Sequence, residues 1–373
     1  MDHLLETRPR PASNQAARRL RLIQVGLGFW GSDWAQEILP SVETVEVVGY
    51  VDPSAEALRR LQSSLAVDPA SCFPSLAAAL ETVECDAVLA SLPTAHHAAV
   101  VRQALGAGKH VIVEKPFASS LPEALELVDL AAAKGLVLMV SQNYRHFPAS
   151  IAAAELIASG ELGEPHSVTV DFRRYAPTFG VLYPDIPDPL LADMSVHHFD
   201  LMRMVLGQEP VEVSCRTWNP PGSPFTYDAA GAAIITFSGG TCVSYRGTWM
   251  TRAPQTPWGG EWTIDCASGF VTFTCRGDKA ARLAAERLSY GRGNDPAEPL
   301  SLPQLRHADR AGTLSAFAQA VLTGVAPARF SSGADNIGTF ALVHACLLSA
   351  RNGGCSVKIE DVVQQARAKE ALS

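Results

Sequence analysis

The chain has 373 residues, 47% of them apolar, and 30 Lys and Arg against 38 Asp and Glu give a formal charge of -8. That length allows two or three domains with ample core, and the acidic balance argues against nucleic acid or an anionic membrane surface as partner. No apolar run reaches the roughly 18 residues of a membrane helix, and the eight cysteines (72, 85, 215, 242, 266, 275, 346, 355) contain no C-x-x-C, the pattern of reduced core thiols in a cytoplasmic protein without a structural zinc.

Residues 1–19 are polar, contain two prolines and end in Arg18-Arg19. A twin-arginine export signal is disfavoured, because the apolar segment after the pair is itself a strand and no small-residue cleavage site separates the two. These residues are expected to be a disordered, basic extension.

Leu20 to Val25 is an apolar β-type run, followed at once by Gly26-Leu-Gly28-Phe-Trp-Gly31 and a helix from Ser32 to Leu39 that stops at Pro40. In this order the first glycine allows the tight turn, the second lets backbone N–H groups approach a pyrophosphate, and the third lets helix and strand pack closely. Gly26, Gly28, Phe29, Trp30 and Gly31 are therefore candidate cofactor contacts. A second strand, Val45 to Val51, ends at Asp52, 21 residues beyond Gly31. A carboxylate there accepts from ribose hydroxyls and repels a 2′-phosphate, so NAD(H) is expected over NADP(H).

Helices over Ser54 to Leu65 and Ser75 to Glu81 lead to a strand at Asp86 to Ser91, a helix from Ala95 to Leu105 and a strand at His110 to Val113. Glu114-Lys115-Pro116 follows, then a helix from Leu121 to Lys134 and a further strand at Leu136 to Val140. Strands alternating with helices in this way predict a doubly wound parallel sheet, the Rossmann domain, over 20–145. The pattern changes near Tyr144. After a helix at Ile151 to Ile157, period-2 strands are predicted at Ser167 to Arg173, Val211 to Trp218, Ala229 to Phe237, Thr241 to Thr248, Trp262 to Cys266 and Phe270 to Cys275, with hairpins at Ser238-Gly239-Gly240 and Ser268-Gly269. A large, mainly antiparallel open sheet with helices on one face is thus predicted within 146–373, read as the substrate-binding and oligomerisation domain. The charged, Pro-containing stretch from Arg292 to Arg310 is expected to be an irregular loop.

Several motifs stand in a fixed order: the glycine turn, Pro93-Thr-Ala-His-His97, Glu114-Lys115-Pro116, Asn143-Tyr-Arg145, and Asp193-Met-Ser-Val-His197-His-Phe-Asp200-Leu-Met-Arg203. With them the chain, from Leu20 to near Arg351, resembles the Gfo/Idh/MocA oxidoreductases, the glucose-fructose oxidoreductase and inositol dehydrogenase group. Two departures stand out: Leu92-Pro93-Thr94 replaces the family's Thr-Pro-Asn, and Pro189-Leu-Leu-Ala192 replaces a glycine-rich approach.

The resemblance implies that Ser91, Pro93, His97, Glu114 and Lys115 lie along NAD, with His97 under the nicotinamide ribose. It assigns His197 as the base that takes the alcohol proton while the nicotinamide takes the hydride. Asp193, four residues earlier and on the same face of a predicted helix, would hold the imidazole or bind a substrate hydroxyl. Lys115 would stabilise alkoxide character. His96 is expected at the surface, His198 as a structural residue, and Asp200 with Arg203 as a helix-face ion pair. Arg145, Arg173 and Tyr175 are carried over as substrate contacts beside Lys115, Asp193 and His197, with Arg174, Tyr183, Trp249 and Trp258 near the same sugar site.

The implied activity is NAD-dependent oxidoreduction of a sugar, inositol or related polyol, or of its acid or phosphate. An NAD-dependent glycosidase working by transient oxidation and a non-catalytic dinucleotide-sensing regulator are the alternatives. The family resemblance further implies a homodimer or homotetramer assembled through the C-terminal sheet.

Overall fold

The computed structural model describes residues 18–175, 185–293 and 295–370. Leu20–Val25 (β1), Val45–Val51 (β2), Cys72–Phe73 (β3), Ala87–Ala90 (β4), His110–Val113 (β5) and Leu138–Val140 (β6) form a parallel sheet in the order β3-β2-β1-β4-β5-β6. This is the expected doubly wound sheet. Its edge strand β3 is a two-residue pairing with Tyr50 and Val51 that no apolar run in the sequence announced.

Helices Phe29–Asp33 (α1), Ala55–Leu65 (α2), Leu76–Thr82 (α3), His97–Gly106 (α4) and Leu121–Ala133 (α5) connect the strands. Serines start three of them: Ser54 Oγ accepts from Ala57 N at 3.2 Å, Ser75 Oγ from Ala78 N at 3.3 Å and Ser120 Oγ from Glu123 N at 3.4 Å, each satisfying an otherwise orphaned first-turn amide. α1 begins earlier than the sequence suggested and continues through a π turn, Trp34–Ile38, and a 3-10 turn, Leu39–Ser41.

Pro148–Ala158 (α6) leads into the second sheet. Its strands are Pro165–Arg173 (β7), Pro210–Trp218 (β8), Ala230–Phe237 (β9), Cys242–Thr248 (β10), Glu261–Cys266 (β11), Gly269–Thr274 (β12), Arg287–Arg292 (β13), Glu298–Pro299 (β14) and Val357–Lys358 (β15). They lie in the order β14-β13-β12-β11-β7-β10-β9-β8-β15, antiparallel at each junction except β7–β10. The six predicted strands and both hairpins are present. β13, β14 and β15 are additions: β13 buries Leu288 between charged ends and β14 interrupts the stretch expected to be loop, both too sparsely apolar to show a period of two.

Ser195–Leu206 (α7), Asp309–Thr323 (α8), Gly333–Arg351 (α9) and Ile359–Glu370 (α10) complete the described chain. α6, α7 and α9 lie over the face of the second sheet that carries Val168, Val170, Phe172, Ile235 and Tyr245. α8 instead returns to the first sheet, where Leu314 and Phe317 share a core with Leu20, Leu22 and Ile112. No described helix is long and apolar enough to cross a membrane. Residues 1–17 of the predicted extension lie outside the described residues. Arg18 and Arg19, assigned to that extension, are ordered: Arg18 donates to Asp86 at 2.7 Å and Arg19 to the Val45 carbonyl at 2.7 Å.

Candidate active site

The glycine turn is built as its sequence demands at two of its three glycines. Gly26 has φ +94°, and a Cβ there would stand 2.5 Å from the Ser91 carbonyl; a Cβ on Gly31 would stand 2.0 Å from the Gly26 carbonyl. Gly28 has no protein atom within 4 Å of its Cβ position. Together with the uncapped start of α1, that open side fits a dinucleotide pyrophosphate approaching the backbone. Phe29 and Trp30 are the exposed residues of this turn, at 76% and 45%. Asp52 fits the ribose role with a second duty: Oδ2 accepts from Leu27 N at 2.8 Å and Oδ1 from Ser54 N at 2.8 Å, leaving further lone pairs for hydroxyl donors.

Other residues expected to touch the cofactor are bonded into the surrounding loops. Ser91 is buried and donates to the carbonyls of Val25 and Gly26 at 3.2 and 3.1 Å, holding the turn from the neighbouring strand. His97 is fully buried, with Nε2 2.8 Å from the Leu92 carbonyl and Nδ1 2.8 Å from the Pro116 carbonyl, so it clamps together the loops that follow β4 and β5. Burial is the largest influence on its pKa and holds it below the usual value, against the upward pull of both carbonyls. Pro93 opens the 3-10 turn Thr94–His96, and His96 is exposed as expected. Glu114 accepts from Trp34 Nε1 at 2.8 Å and from Lys115 N at 3.1 Å, binding α1 to the Glu-Lys-Pro loop.

Lys115, preceding a cis proline, reaches across to the second domain. Its Nζ donates to Asp193 Oδ1 at 2.7 Å and to the Asp193 carbonyl at 3.0 Å. Asp193 does not sit in a regular α-helix: Asp188 is left-handed (φ +47°), and Pro189–Met194 winds as a π-helix before α7 begins. Such turns recur at functional sites because they re-aim side chains. His197, on the first turn of α7, is 6% exposed and lies flat on Tyr144, with ring centroids 4.2 Å apart and planes 6° apart. Its Nδ1 is buried with no partner among the described residues, so Asp193 does not hold that nitrogen. Burial, then the cations Lys115 and Arg276, then His198, push the His197 pKa well below 6.5, and the imidazole is neutral at neutral pH.

Three expectations change here. Arg145 is not a substrate contact: it is 4% exposed, gives Asp200 a bidentate pair at 2.6 Å and reaches Asp335 at 2.6 Å, because a buried guanidinium persists only when its donors are met. Asp200 and Arg203 do not pair with each other. Arg203 donates to Glu209 at 2.7 Å and to Asp335 at 3.1 Å, with Thr339 bridging the two networks. Arg173 points away from the site, since strand alternation puts Phe172 under α7 and Arg173 on the opposite face, where it binds Asp171 and, at 3.0 Å, Glu261.

The neighbouring Arg174 is the inward arginine. It lies 4.3 Å from the Trp258 ring centroid and pairs with Asp278. Tyr175 is 42% exposed, bridges to Met250 and has Arg252 5.0 Å above its ring; Tyr183 lies outside the described residues. Trp249 is buried against Phe172, 5.1 Å away. His198 is structural as expected: it contacts Tyr245 Oη at 3.2 Å and the Trp258 carbonyl at 3.0 Å, and burial brings its pKa down to about 4. Sequence reasoning missed Tyr144 and Arg276. Tyr144 lay inside a quoted motif, but nothing in the motif says which of its residues faces the site.

A family model described as an oxidoreductase family with an NAD-binding Rossmann fold matches residues 20–142, and the C-terminal domain model of the same GFO/IDH/MocA family matches 151–272. A dTDP-3,4-didehydro-2,6-dideoxy-alpha-D-glucose 3-reductase of Actinomadura kijaniata is 27% identical over 340 residues, 88% of this chain and 96% of that protein. Among solved structures, an Agrobacterium radiobacter oxidoreductase in complex with NAD+, L-tartaric acid and magnesium aligns with TM-score 0.81 at 21% identity, covering 92% of this chain and 99% of that one. An inositol dehydrogenase homologue from Azotobacter vinelandii, complexed with NADH and myo-inositol, aligns with TM-score 0.76 at 20% identity, covering 92% and 98%. At such identities the two structures speak for the shared fold.

Proposed function

The chain belongs to the Gfo/Idh/MocA family of NAD-binding oxidoreductases, and from that premise we propose that it oxidises or reduces a secondary alcohol carbon of a sugar, inositol or related polyol. The observation that carries this reading is the convergence of Lys115, Asp193 and His197 at the junction of the two sheets, with Lys115 already bonded to Asp193 at 2.7 Å.

NAD(H), when bound at the glycine turn, supplies the hydride acceptor or donor. The chain's residues handle the proton. Neutral His197 takes it from the hydroxyl during oxidation, and an imidazole kept uncharged by burial is in the right state to do so at neutral pH. Lys115 Nζ donates a hydrogen bond to the same oxygen and stabilises its developing negative charge. Asp193 neutralises and aims the lysine. Tyr175, 42% exposed, offers ring surface for a polyhydroxylated substrate. A relative whose name describes a sugar-nucleotide reductase supports the substrate class, and the eight free cysteines support a reducing, cytoplasmic setting.

The test is absorbance at 340 nm with NAD across a panel of sugars, inositols and their acids, with NADH and the corresponding keto compounds in the reverse direction. A substrate-dependent change abolished by His197→Ala is the expected result. No change with any member, from protein that binds NAD, would overturn the reading.

A further inference from the structure

His197 rests on one end of a column in which rings and cations alternate. Against its imidazole lies Tyr144, and Arg276 stands at the hydroxyl end of Tyr144, its Cζ 5.1 Å from the ring centroid and its Nη1 donating to Tyr144 Oη at 2.8 Å. The same guanidinium is 5.0 Å from the Trp258 centroid, and Arg174 lies at 4.3 Å from that indole. Asp278 closes the column: it pairs with Arg174 and accepts from Trp258 Nε1 at 2.9 Å.

The backbone fixes the middle of the column. Arg276 adopts φ +54°, its N–H donates to Glu286 Oε1 at 2.6 Å, and its carbonyl accepts from Trp258 N at 2.9 Å. The other oxygen of Glu286 accepts from Ala149 N at 2.8 Å, at the start of α6. Tyr144 itself is 1% exposed and packs edge-on to Phe147 at 6.0 Å. Neither Tyr144 nor Arg276 has a place in the proton and hydride steps described above.

We propose that Tyr144 and Arg276 are positioning residues for His197: the tyrosine ring fixes the plane of the imidazole, and the arginine locks that ring through its hydroxyl while holding a permanent cation near the base. The proposal rests on the reading of His197 as the base and adds the device that keeps it oriented and uncharged. An imidazole turns about its outer torsion within a broad well, and the parallel contact confines it, a ring pair adding attraction beyond simple burial. A cation close to the ring disfavours the imidazolium.

The charged and titratable groups around His197 are Lys115 and Asp193 from the facing loop and π turn, His198 on its own helix, and Tyr144 with Arg276 behind it. Cys275, Asp309 and Glu286 lie one step further out, around Tyr144 and Arg276. Lys115 is balanced by Asp193, so removing Arg276 changes the field at the imidazole without disturbing that pair.

The experiment has two arms on the full chain with NAD bound: the pH profile of kcat/KM for alcohol oxidation, and the 15N NMR titration of the His197 ring. Arg276→Met should move both the acid limb and the ring titration upward by about half a unit to one unit, the scale of one partly screened nearby charge. Arg276→Lys should restore most of that shift. Tyr144→Leu should lower kcat at least ~10-fold with KM little changed, and Tyr144→Phe, which keeps the ring and loses the bond to Arg276, should fall between it and wild type.

A ring titration unmoved by Arg276→Met, an equal shift in Arg276→Lys, or undiminished kcat in Tyr144→Leu would overturn the proposal. A ring titration that moves while the acid limb stays fixed would support the column and count against His197 as the base. The NMR arm therefore separates the two readings.

Discussion

Lys115 Nζ and Asp193 Oδ1 meet 2.7 Å apart across 78 positions of sequence, one from the loop that ends a strand of the parallel sheet, the other from a π turn that precedes α7 over the second sheet. The pair ties the Glu-Lys-Pro loop to the turn that leads into α7, the helix that carries the candidate base His197. If Lys115 and His197 both act on the reacting hydroxyl, Lys115→Met and His197→Ala should each lower kcat at least ~100-fold while NAD affinity changes only a few-fold. Asp193→Asn should cost less in kcat and raise KM, since it leaves the lysine in place but unbalanced. Steady-state kinetics with a separate NAD titration check this. Near-normal turnover by His197→Ala would remove the imidazole from the mechanism.

Most of the fold was legible because its first-sheet strands are largely apolar runs and its second-sheet strands alternate with a period of two. β1, β2 and β5 end at the residues where the runs end. β3 and β15, at two residues each, are too short to carry a period and exist only because a sheet edge was open to them. At the site, residue type was readable but partnership was not. Asp193 and His197 look like an i, i+4 helical pair in sequence, and only the π turn after Pro189 turns Asp193 toward Lys115 instead. Arg145, Arg173 and Arg174 are alike on paper. Burial with Asp200 makes the first structural, strand alternation turns the second outward, and the third alone faces the column behind His197.

Asp52 holds the glycine turn and is the residue proposed to set cofactor choice. Its carboxylate already accepts from Leu27 N at 2.8 Å, so Asp52→Ala should weaken NAD binding roughly 10-fold or more and move the NAD-to-NADP affinity ratio toward NADP, by removing an acceptor and a repulsive charge together. Fluorescence titrations with each dinucleotide measure it. Wild-type affinity for NADP equal to or tighter than that for NAD would contradict the assignment.

The face of the second sheet away from α6, α7 and α9 has one residue row that runs through Thr272, Thr263, Thr169, Ser244, Ile234 and Ser214. Ile234 is 50% exposed in its midst, with Trp218 at 44% nearer the edge. A flat field of small hydroxyls around an exposed isoleucine suits self-association. Sedimentation should give a dimer or tetramer at micromolar concentration, and Ile234→Arg should shift it toward monomer. A wild-type monomer would sink the expectation.

Asp33 on α1 joins the glycine turn to the C-terminal half of the chain. It is 8% exposed, pairs with Lys279 at 2.5 Å and with Arg310, and Arg310 also lies 5.0 Å from the Trp30 centroid and 5.5 Å from that of Trp34. Asp33→Ala strands a buried guanidinium and should cost about 3 kcal/mol. Lys279→Met, at a side chain 68% exposed, should cost under about 1 kcal/mol. Urea unfolding of the two variants distinguishes a clasp from a surface ion pair; equal costs would show that Arg310 does not depend on Asp33.

Acid stability follows from the buried imidazoles. His146 and His198 are brought down to about 4 by burial, and burial also lowers His97 and His197. Each is neutral when folded but takes up a proton near pH 6.5 when unfolded, so its contribution is complete above 6.5 and declines as pH falls from there toward the folded value. Within that window each contributes a slope of up to about 1.4 kcal/mol per pH unit. Glu286 works the other way: burial lifts its carboxyl to about 7 against two backbone N–H donors, so its contribution is present below 4.5 and lost as pH rises through 7. With His110 and His344, which burial also lowers, six histidines against one glutamate leave a net rise in stability from pH 5 to pH 7. Urea midpoints at pH 5, 6 and 7.5 should increase in that order, and His198→Gln should flatten the trend. A midpoint at pH 5 equal to or above that at 7.5 would mean that the imidazoles are protonated in the folded chain, which would also remove the neutral base on which the proposed mechanism depends.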